Sequence, residues 1–560
     1  MNQLNKIKNV VTETACDRRP CQLKSCVPLR IGTTVCLLIS LFASNVVRGQ
    51  VTAESPGSPS ALMLEQVSTF SQVRSFSDLD SLAGDTAARE FVNRGPIPPA
   101  LAAFRYDDYV KISYKHEKAT WWDNDSPFCM ETFHQGFVQR DRVWLFASER
   151  DKNRLIPFST DDFNYDLPDL DLDSIAGAGH AGIKLAGRIG NESAQEFLTF
   201  LGSSYFRGRS ERSLYGASAR GLAVNVATDG AEEFPFFRAF WVDQPKPGDT
   251  SITIRALLDS TSVAGAYEFI LKPGTDQTRV SVKASLHFRR IPEKLAIAPL
   301  TSMWIWGDGL AGPPKDDRPA CHDSDGLLIR TGDLKNSDWT WRAFSRSPYP
   351  SVSTFATDKL IGYGVMQRNT SFFHFGDYNA KYNERPSVFV TPAKNWGAGR
   401  VELFELPGAH EGIDNIGAYW IPDQPPTTDK PLRLEYTVDF FRGDHGDESN
   451  VARATSLEID RSGKSIEMSV RFAGGQIDKI DSKANVEIQV KTIRGEAIRK
   501  DLQKTKTGDW LMTLALEPEE KAPMEVQATL QLDGKTLSET FVYLCPHQEP
   551  EFVYPDIYTR

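Results

Sequence analysis

The sequence predicts an all-β protein of two sandwich-like units, and three observations carry that expectation. Runs of alternating apolar and polar residues, the period of a strand with one buried face, recur from Tyr106 onward. Turn signals separate them, among them Lys272-Pro273-Gly274, Gly312-Pro313-Pro314 and Asp423-Gln424-Pro425-Pro426. Long helical periodicity is scarce. At 560 residues the chain is too long for one ordinary core, so at least two domains are expected.

Taken in order, residues 1–49 read as a signal peptide. Lys6, Lys8, Arg18, Arg19, Lys24 and Arg30 form a basic leader, an apolar stretch runs from Ile31 to Val47, and Val47-Arg48-Gly49 offers small residues for cleavage before Gln50. The apolar core is short for a membrane span of about 20 residues. Arg18-Arg19 loosely matches a twin-arginine signal, but the apolar stretch lies far downstream of it, which favours the general secretory route. Residues 50–95 form a flexible and helical segment, with Leu79, Leu82, Ala87 and Phe91 on one side of a helix over Asp78–Val92. Residues 96–440 are the large β-domain. Its clearest strands are Ile252–Leu257, Val280–Phe288, Val401–Leu406 and Leu432–Phe440. Polar residues 441–454 read as a linker. Residues 455–546 hold short strands (Ser465–Phe472, Asn485–Val490, Trp510–Leu516, Met524–Leu532, Glu539–Leu544) at a spacing that suggests an Ig-like sandwich. Residues 547–560 are a tail.

A formal net charge of -10 argues against a nucleic-acid partner, which requires clustered basic charge to release counterions. Four of the 7 cysteines lie in the leader; Cys129, Cys321 and Cys545 show neither CxxC nor zinc spacing and read as free and buried. P-loop, GxSxG, HExxH and dinucleotide-binding patterns are absent from the sequence. No metal or cofactor is expected. Carboxylates and aromatics remain. Asp323 lies in a polar stretch, Arg318–Leu327, and Glu411 and Asp414 lie in a loop before the strand at Ile416. Two carboxyls on separate loops suit glycoside hydrolysis, which uses one acid to protonate the leaving oxygen and one base to activate water. The Glu232–Trp241 segment, the Trp304/Trp306 pair and Tyr419-Trp420 are either core aromatics or sugar-stacking rings.

A series of motifs then identifies a family. Leu201–Arg207 (LGSSYFR), Tyr215–Ala223 (YGASARGLA), Glu232-Glu233-Phe234-Pro235 with Phe240-Trp241, Pro299–Met303 (PLTSM), His322-Asp323-Ser324, Arg385-Pro386-Ser387 and Asp414-Asn415-Ile416 with Ala418-Tyr419-Trp420 occur in that order. Together they resemble the osmoregulated periplasmic glucan biosynthesis proteins of the G and D types, over residues 96 to 545. The resemblance implies a galactose-mutarotase-like β-sandwich followed by an Ig-like domain, a periplasmic location and a role in making β-1,2-linked glucan. D-type members are anomer-inverting β-1,2-glucanases. By position in the motifs, the general acid falls on Asp414, the general base on Asp323, and a further acid of the same site on Glu411. Tyr205, Arg238, Trp241, Asp377, Tyr382, Arg385 and Tyr419 are candidate cleft residues. The expected function is therefore an inverting β-1,2-glucanase acting in periplasmic glucan biosynthesis. The alternative is a non-catalytic glucan-binding scaffold that assists the inner-membrane glucan synthase. β-1,2-Glucan is the expected partner, with the synthase and a second copy of the chain as further candidates.

Overall fold

The computed structural model describes residues 61–93, 97–122, 125–188, 194–408, 410–445, 450–519, 522–549 and 551–552, with side chains from residue 66. The expected signal peptide, Ala409, residues 446–449 of the expected linker and most of the tail lie outside the described residues. Two large β-sheets, of ten and fifteen strands, build the body. The all-β expectation holds.

The sheets face each other across an apolar interior, because the alternation along each strand supplies one apolar face. Phe200 from Gln195–Leu201 of the ten-stranded sheet meets Phe240 and Phe269 of the fifteen-stranded sheet at ring distances of 5.1 and 5.0 Å. Val280–Phe288 lies inside one long strand, Gln277–Phe288, paired in register with Val263–Lys272 and Leu432–Phe441. Buried Tyr tips find backbone partners across the layers. Tyr363 Oη donates to Ala298 O at 2.7 Å, where the strand Leu295–Ser302 bulges and Ala298 takes φ +46°. Trp304 and Trp306 are also buried in this interior.

The two outer faces are treated differently. On the fifteen-stranded sheet, the helix Phe76–Ala87 covers the strands, with Leu79 and Ala83 buried against Trp241, Leu257 and Ala266. A capping box starts that helix: Ser75 Oγ accepts from Asp78 N, and the Asp78 carboxylate accepts from Ser75 N. The outer face of the ten-stranded sheet instead carries polar side chains. Phe206, Ala219, Leu300 and Ala418 point into the core. Their strand neighbours Tyr205, Arg207, Ser218, Arg220, Thr301 and Tyr419 therefore share the opposite face, in the register Tyr205↔Arg220 and Thr301↔Ser218.

The C-terminal strands join the larger sheet. Thr540–Cys545 pairs in parallel with Asn336–Ala343, and Met524–Leu532 and Glu487–Ile493 extend it. A separate four-stranded sheet, Arg453–Asp460, Ile466–Ala473, Trp510–Pro518 and Gly495–Lys504, packs over them through Met468, Met512, Phe541 and Tyr543. Cys129, Cys321 and Cys545 are free and buried. No described helix is long and apolar enough to cross a membrane.

A buried ion pair ties these strands to the body. Arg368 donates from Nη1 and Nη2 to the two Glu539 oxygens at 2.7 and 2.9 Å, lies 3.6 Å over the Trp341 ring, and shares Glu539 with Ala454 N at 2.8 Å. Removing Glu539 takes the two-point acceptor from a buried guanidinium and leaves it the longer contact to Asp444 at 3.2 Å. Glu539→Ala should therefore lower unfolding stability by about 3–5 kcal/mol, read by chemical denaturation.

Candidate functional site

Three loops and one sheet face converge. The first loop follows the two-stranded hairpin of Trp304–Trp306 and Cys321–His322 and carries Asp323. The second is a folded segment from Phe372 to Arg385. It opens with one helical turn, reverses at Gly376 (φ +64°), and closes with a 3-10 turn, Tyr382–Glu384, after Lys381 at φ +48°. Phe375 buries into the core as its anchor, 4.9 Å from the His322 ring. The third loop carries Glu411 and Asp414 and enters the strand Ile416–Pro422. Asn415 clamps it. Its Oδ1 accepts from Trp304 N, and its Nδ2 donates to Trp304 O and Leu406 O, at 2.9 to 3.0 Å.

Asp323 is 4% exposed and pairs with Arg385, Nη1 to Oδ1 at 2.8 Å. Burial pushes its carboxyl up, against the pull of Arg385 and Arg207, while the negative Glu411 adds to the rise. Arg385 also donates to Ala380 O at 3.1 Å and lies 4.7 Å over the Tyr382 ring. One side chain thus holds both Asp323 and the 372–385 segment.

Asp414 has a different environment. Burial lifts its carboxyl to about 7; Arg207, Thr301 and Arg385 pull it down and Asp323 pushes it up. Among the described residues its Oδ2 has no hydrogen-bond partner.

Glu411 is the most exposed of the three acids, with 41% of its side chain open. Arg318 grips it from Nη2 and Nη1 at 2.6 and 3.0 Å, and Tyr382 Oη donates to it at 2.5 Å. Burial would raise this carboxyl, but the Arg318 and Tyr382 hydrogen bonds outweigh it and hold the pKa below the ordinary value. Arg318 also binds Asp316 (2.6 Å) and Asp377 (2.8 Å), and lies 5.3 Å over Trp306. Asp377 accepts from Asn379 N and Ala380 N at 2.7 Å, which fixes the bend after Gly376.

The sheet face beside these loops is polar and buried. Arg220 lies 4.8 and 5.2 Å from the Tyr205 and Phe234 rings and donates from Nη1 to Glu232 at 2.8 Å. Its Nε and Nη2, and the Ser218 hydroxyl, have no hydrogen-bond partner among the described residues. Tyr419 lies on this face, 1% exposed, next to Phe404 and Lys294.

Eight of the ten expected residues therefore share one region: Asp323, Asp377, Tyr382, Arg385, Glu411 and Asp414 in the loops, Tyr205 and Tyr419 on the sheet. Arg238 and Trp241 do not join it. Both lie on Phe236–Asp243, in the other sheet. Trp241 is fully buried, stacked on Phe146 at 5.7 Å, with Nε1 donating to Phe70 O at 2.8 Å. Arg238 pairs with Asp259 at 3.0 Å and donates to Val92 O. Sequence reasoning missed Arg207, Arg318, Thr301 and Asn415 as site residues. Each lies inside or beside a motif already singled out, so proximity in sequence to Asp323, Tyr205, Met303 and Asp414 was the available signal. His322, buried and held at about 3 by desolvation, bonds Gln367 at 2.9 Å and is a neutral core group.

Arg318→Met leaves three carboxylates without their shared cation and should cost on the order of 2–3 kcal/mol at pH 7. Asp316, Asp377 and Glu411 all have lowered pKa values. Their stabilisation is present above the ordinary carboxylate range of about 4 and is lost as pH falls through the folded-state values. The melting difference between wild type and variant should therefore shrink toward zero in acid.

Comparison with known proteins agrees with the motif series. The family model described as "Periplasmic glucan biosynthesis protein, MdoG" matches residues 75–545. Glucans biosynthesis protein G of Serratia proteamaculans (strain 568) is 36% identical over 492 residues, 85% of this chain and 94% of its own length. Among solved structures, the galactosidase domain of an alpha-galactosidase-sucrose kinase matches 39% of this chain and 29% of its own, at 10% identity and a TM-score of 0.22. The alpha-galactosidase from Lactobacillus brevis matches 47% and 38%, at 7% identity and a TM-score of 0.24. Those two likenesses are too slight to bear on the fold. The extent of the family match and the identity to the Serratia protein establish that the chain belongs to the periplasmic glucan biosynthesis protein family.

Proposed function

We propose that the chain is an anomer-inverting glycoside hydrolase acting on β-1,2-linked glucan in the periplasm, with Asp414 as general acid and Asp323 as general base. Membership of the family supplies the coarse part, involvement in periplasmic glucan biosynthesis. The observation that supports the hydrolytic part is the Asp414 carboxyl. It is raised to about 7, beside a buried carboxyl, Asp323, that is in ion-pair contact with a guanidinium. That is the division inverting hydrolysis needs, with one carboxyl able to carry a proton at neutral pH and one supported as an anion.

In the reaction, Asp414 gives its proton to the glycosidic oxygen as the bond to the anomeric carbon breaks. Water adds to the opposite face of that carbon. Asp323 accepts the proton the water loses, directly or through an intervening hydroxyl. One bond forms and one breaks, so the anomer inverts once. Arg385 keeps Asp323 in place, and Arg207, electrostatically coupled to both carboxyls, stabilises the charge as it moves between them.

Purified chain incubated with linear β-1,2-glucan should release short products whose fresh anomer, read by NMR, is α. Asp414→Asn should lower the rate by about 10²–10⁴-fold. Glucan bound but left intact by both proteins would favour the non-catalytic scaffold reading instead. A second expectation concerns pH. Asp414 acts protonated, so kcat should fall as pH rises through about 7. A profile flat from pH 6 to 9 would remove Asp414 from the acid role.

A further inference from the structure

A polar cavity lies away from the acids. Its volume is about 340 Å³, within the range of roughly 300–1,000 Å³ for small-molecule sites. The turn Gly307–Ala311 forms one wall, and Leu457–Ile459, Arg461 and Tyr543 of the C-terminal strands form the other. Asp323, Glu411 and Asp414 do not line it.

The two walls approach closely at Gly309, which takes φ +81°. A Cβ there would come 2.9 Å from Leu457 Cδ2 and 3.2 Å from Tyr543 Oη. Tyr543 is 2% exposed, so it gives the cavity a rigid aromatic floor. Around it stand groups of both signs. Arg461 donates to Pro546 O at 2.9 Å and to His547 O at 3.4 Å, neutral partners that leave its charge uncompensated by them. Arg346 lies 4.4 Å over the Phe552 ring. Asp308, Glu458 and Glu549 supply carboxyls. Burial raises Asp308 to about 6, so near neutral pH it is mostly ionised and accepts hydrogen bonds, while the guanidiniums of the lining donate them.

A lining of two guanidiniums and three carboxyls is close to balanced in sign and selects neither a free anion nor a free cation strongly. It offers closely spaced donors and acceptors to a neutral ligand with many hydroxyls. We propose that this cavity is a second carbohydrate-binding site, taking one or two neutral glucosyl units at the junction of the Gly307–Ala311 turn and the C-terminal strands. The choice of glucose rests on the function proposed above; the preference for a neutral polyhydroxylated ligand does not.

The site is joined to the acid loops by packing. Trp306, immediately before the turn, donates from Nε1 to Arg318 O at 3.0 Å and lies under the Arg318 guanidinium that grips Glu411. Its other neighbour is Phe552, at 5.8 Å, which carries Arg346.

The test is calorimetric titration of the full chain, carrying Asp414→Asn to prevent turnover, with the β-1,2-linked glucose tetrasaccharide. Two binding events per chain are expected. Adding Ile459→Trp, which fills the cavity, should abolish one and leave the other. Adding Glu458→Ala, an exposed rim change that does not threaten folding, should weaken the same event at least tenfold. A single event untouched by both changes overturns the second site and leaves the hydrolase reading standing. A single event abolished by Ile459→Trp supports the second site and removes glucan from the acid cleft. No binding at all overturns both.

Discussion

The Arg385–Asp323 pair is the contact on which the candidate site depends. A buried carboxylate without a partner costs several kcal/mol, and the protein meets that cost with one guanidinium. The same guanidinium reaches the Ala380 carbonyl and covers the Tyr382 ring, and Tyr382 in turn donates to Glu411. Its stem packs where Gly216 has no side chain; a Cβ on Gly216 would lie 3.0 Å from Arg385 Cβ. Electrostatic compensation of one acid therefore also fixes the segment that presents the others. Arg318 repeats the device one step outward, drawing Asp316, Asp377 and Glu411 onto a single cation. Two arginines give the loops a rigidity that the β-scaffold beneath them supplies only to their ends.

Much of the fold was legible because burial on one face writes itself into the sequence with period two. Val280–Phe288 and Met524–Leu532 appear as strands for that reason, the second at the boundaries expected. Where that signal is weak the strand was invisible. Gly495–Lys504 reads GEAIRKDLQK and is largely exposed, so nothing apolar marks it; backbone pairing to Trp510–Pro518 holds it in place. The join between Thr540–Cys545 and Asn336–Ala343 was equally hidden, because a parallel pairing of residues 200 positions apart, Thr340 with Thr540, leaves no local pattern.

The site divides in the same way. Asp323, Glu411 and Asp414 stand in short motifs specific enough to be placed, and Arg385 and Tyr382 lie in or near one. Trp241 and Arg238 were misplaced by a mixture of rings and charges that is equally good for a cleft and for a helix-covered sheet. Which face a strand turns outward is set by what packs on it, here the helix Phe76–Ala87 and the turn before it. Arg318 was missed because part of its meaning is non-local: besides neighbouring Asp316 it holds Asp377 and Glu411, 59 and 93 residues away.

Buried Asp323 and half-buried Asp414 sit within one electrostatic neighbourhood, and their difference is the chemically informative feature. Burial raises both carboxyls, so desolvation alone would make them equivalent. Arg385 breaks the symmetry by touching Asp323 and only acting at a distance on Asp414. Arg207 acts on both and so does not separate them. A pair of like charges in one dry site resists double ionisation, and the proton settles on the member with less support for its charge. Among the described residues a guanidinium contacts Asp323 and not Asp414, which supports the proposed placing of that proton on Asp414. The proposed role of Asp414 as acid thus rests on the placement of Arg385 together with the burial that lifts its own carboxyl to about 7.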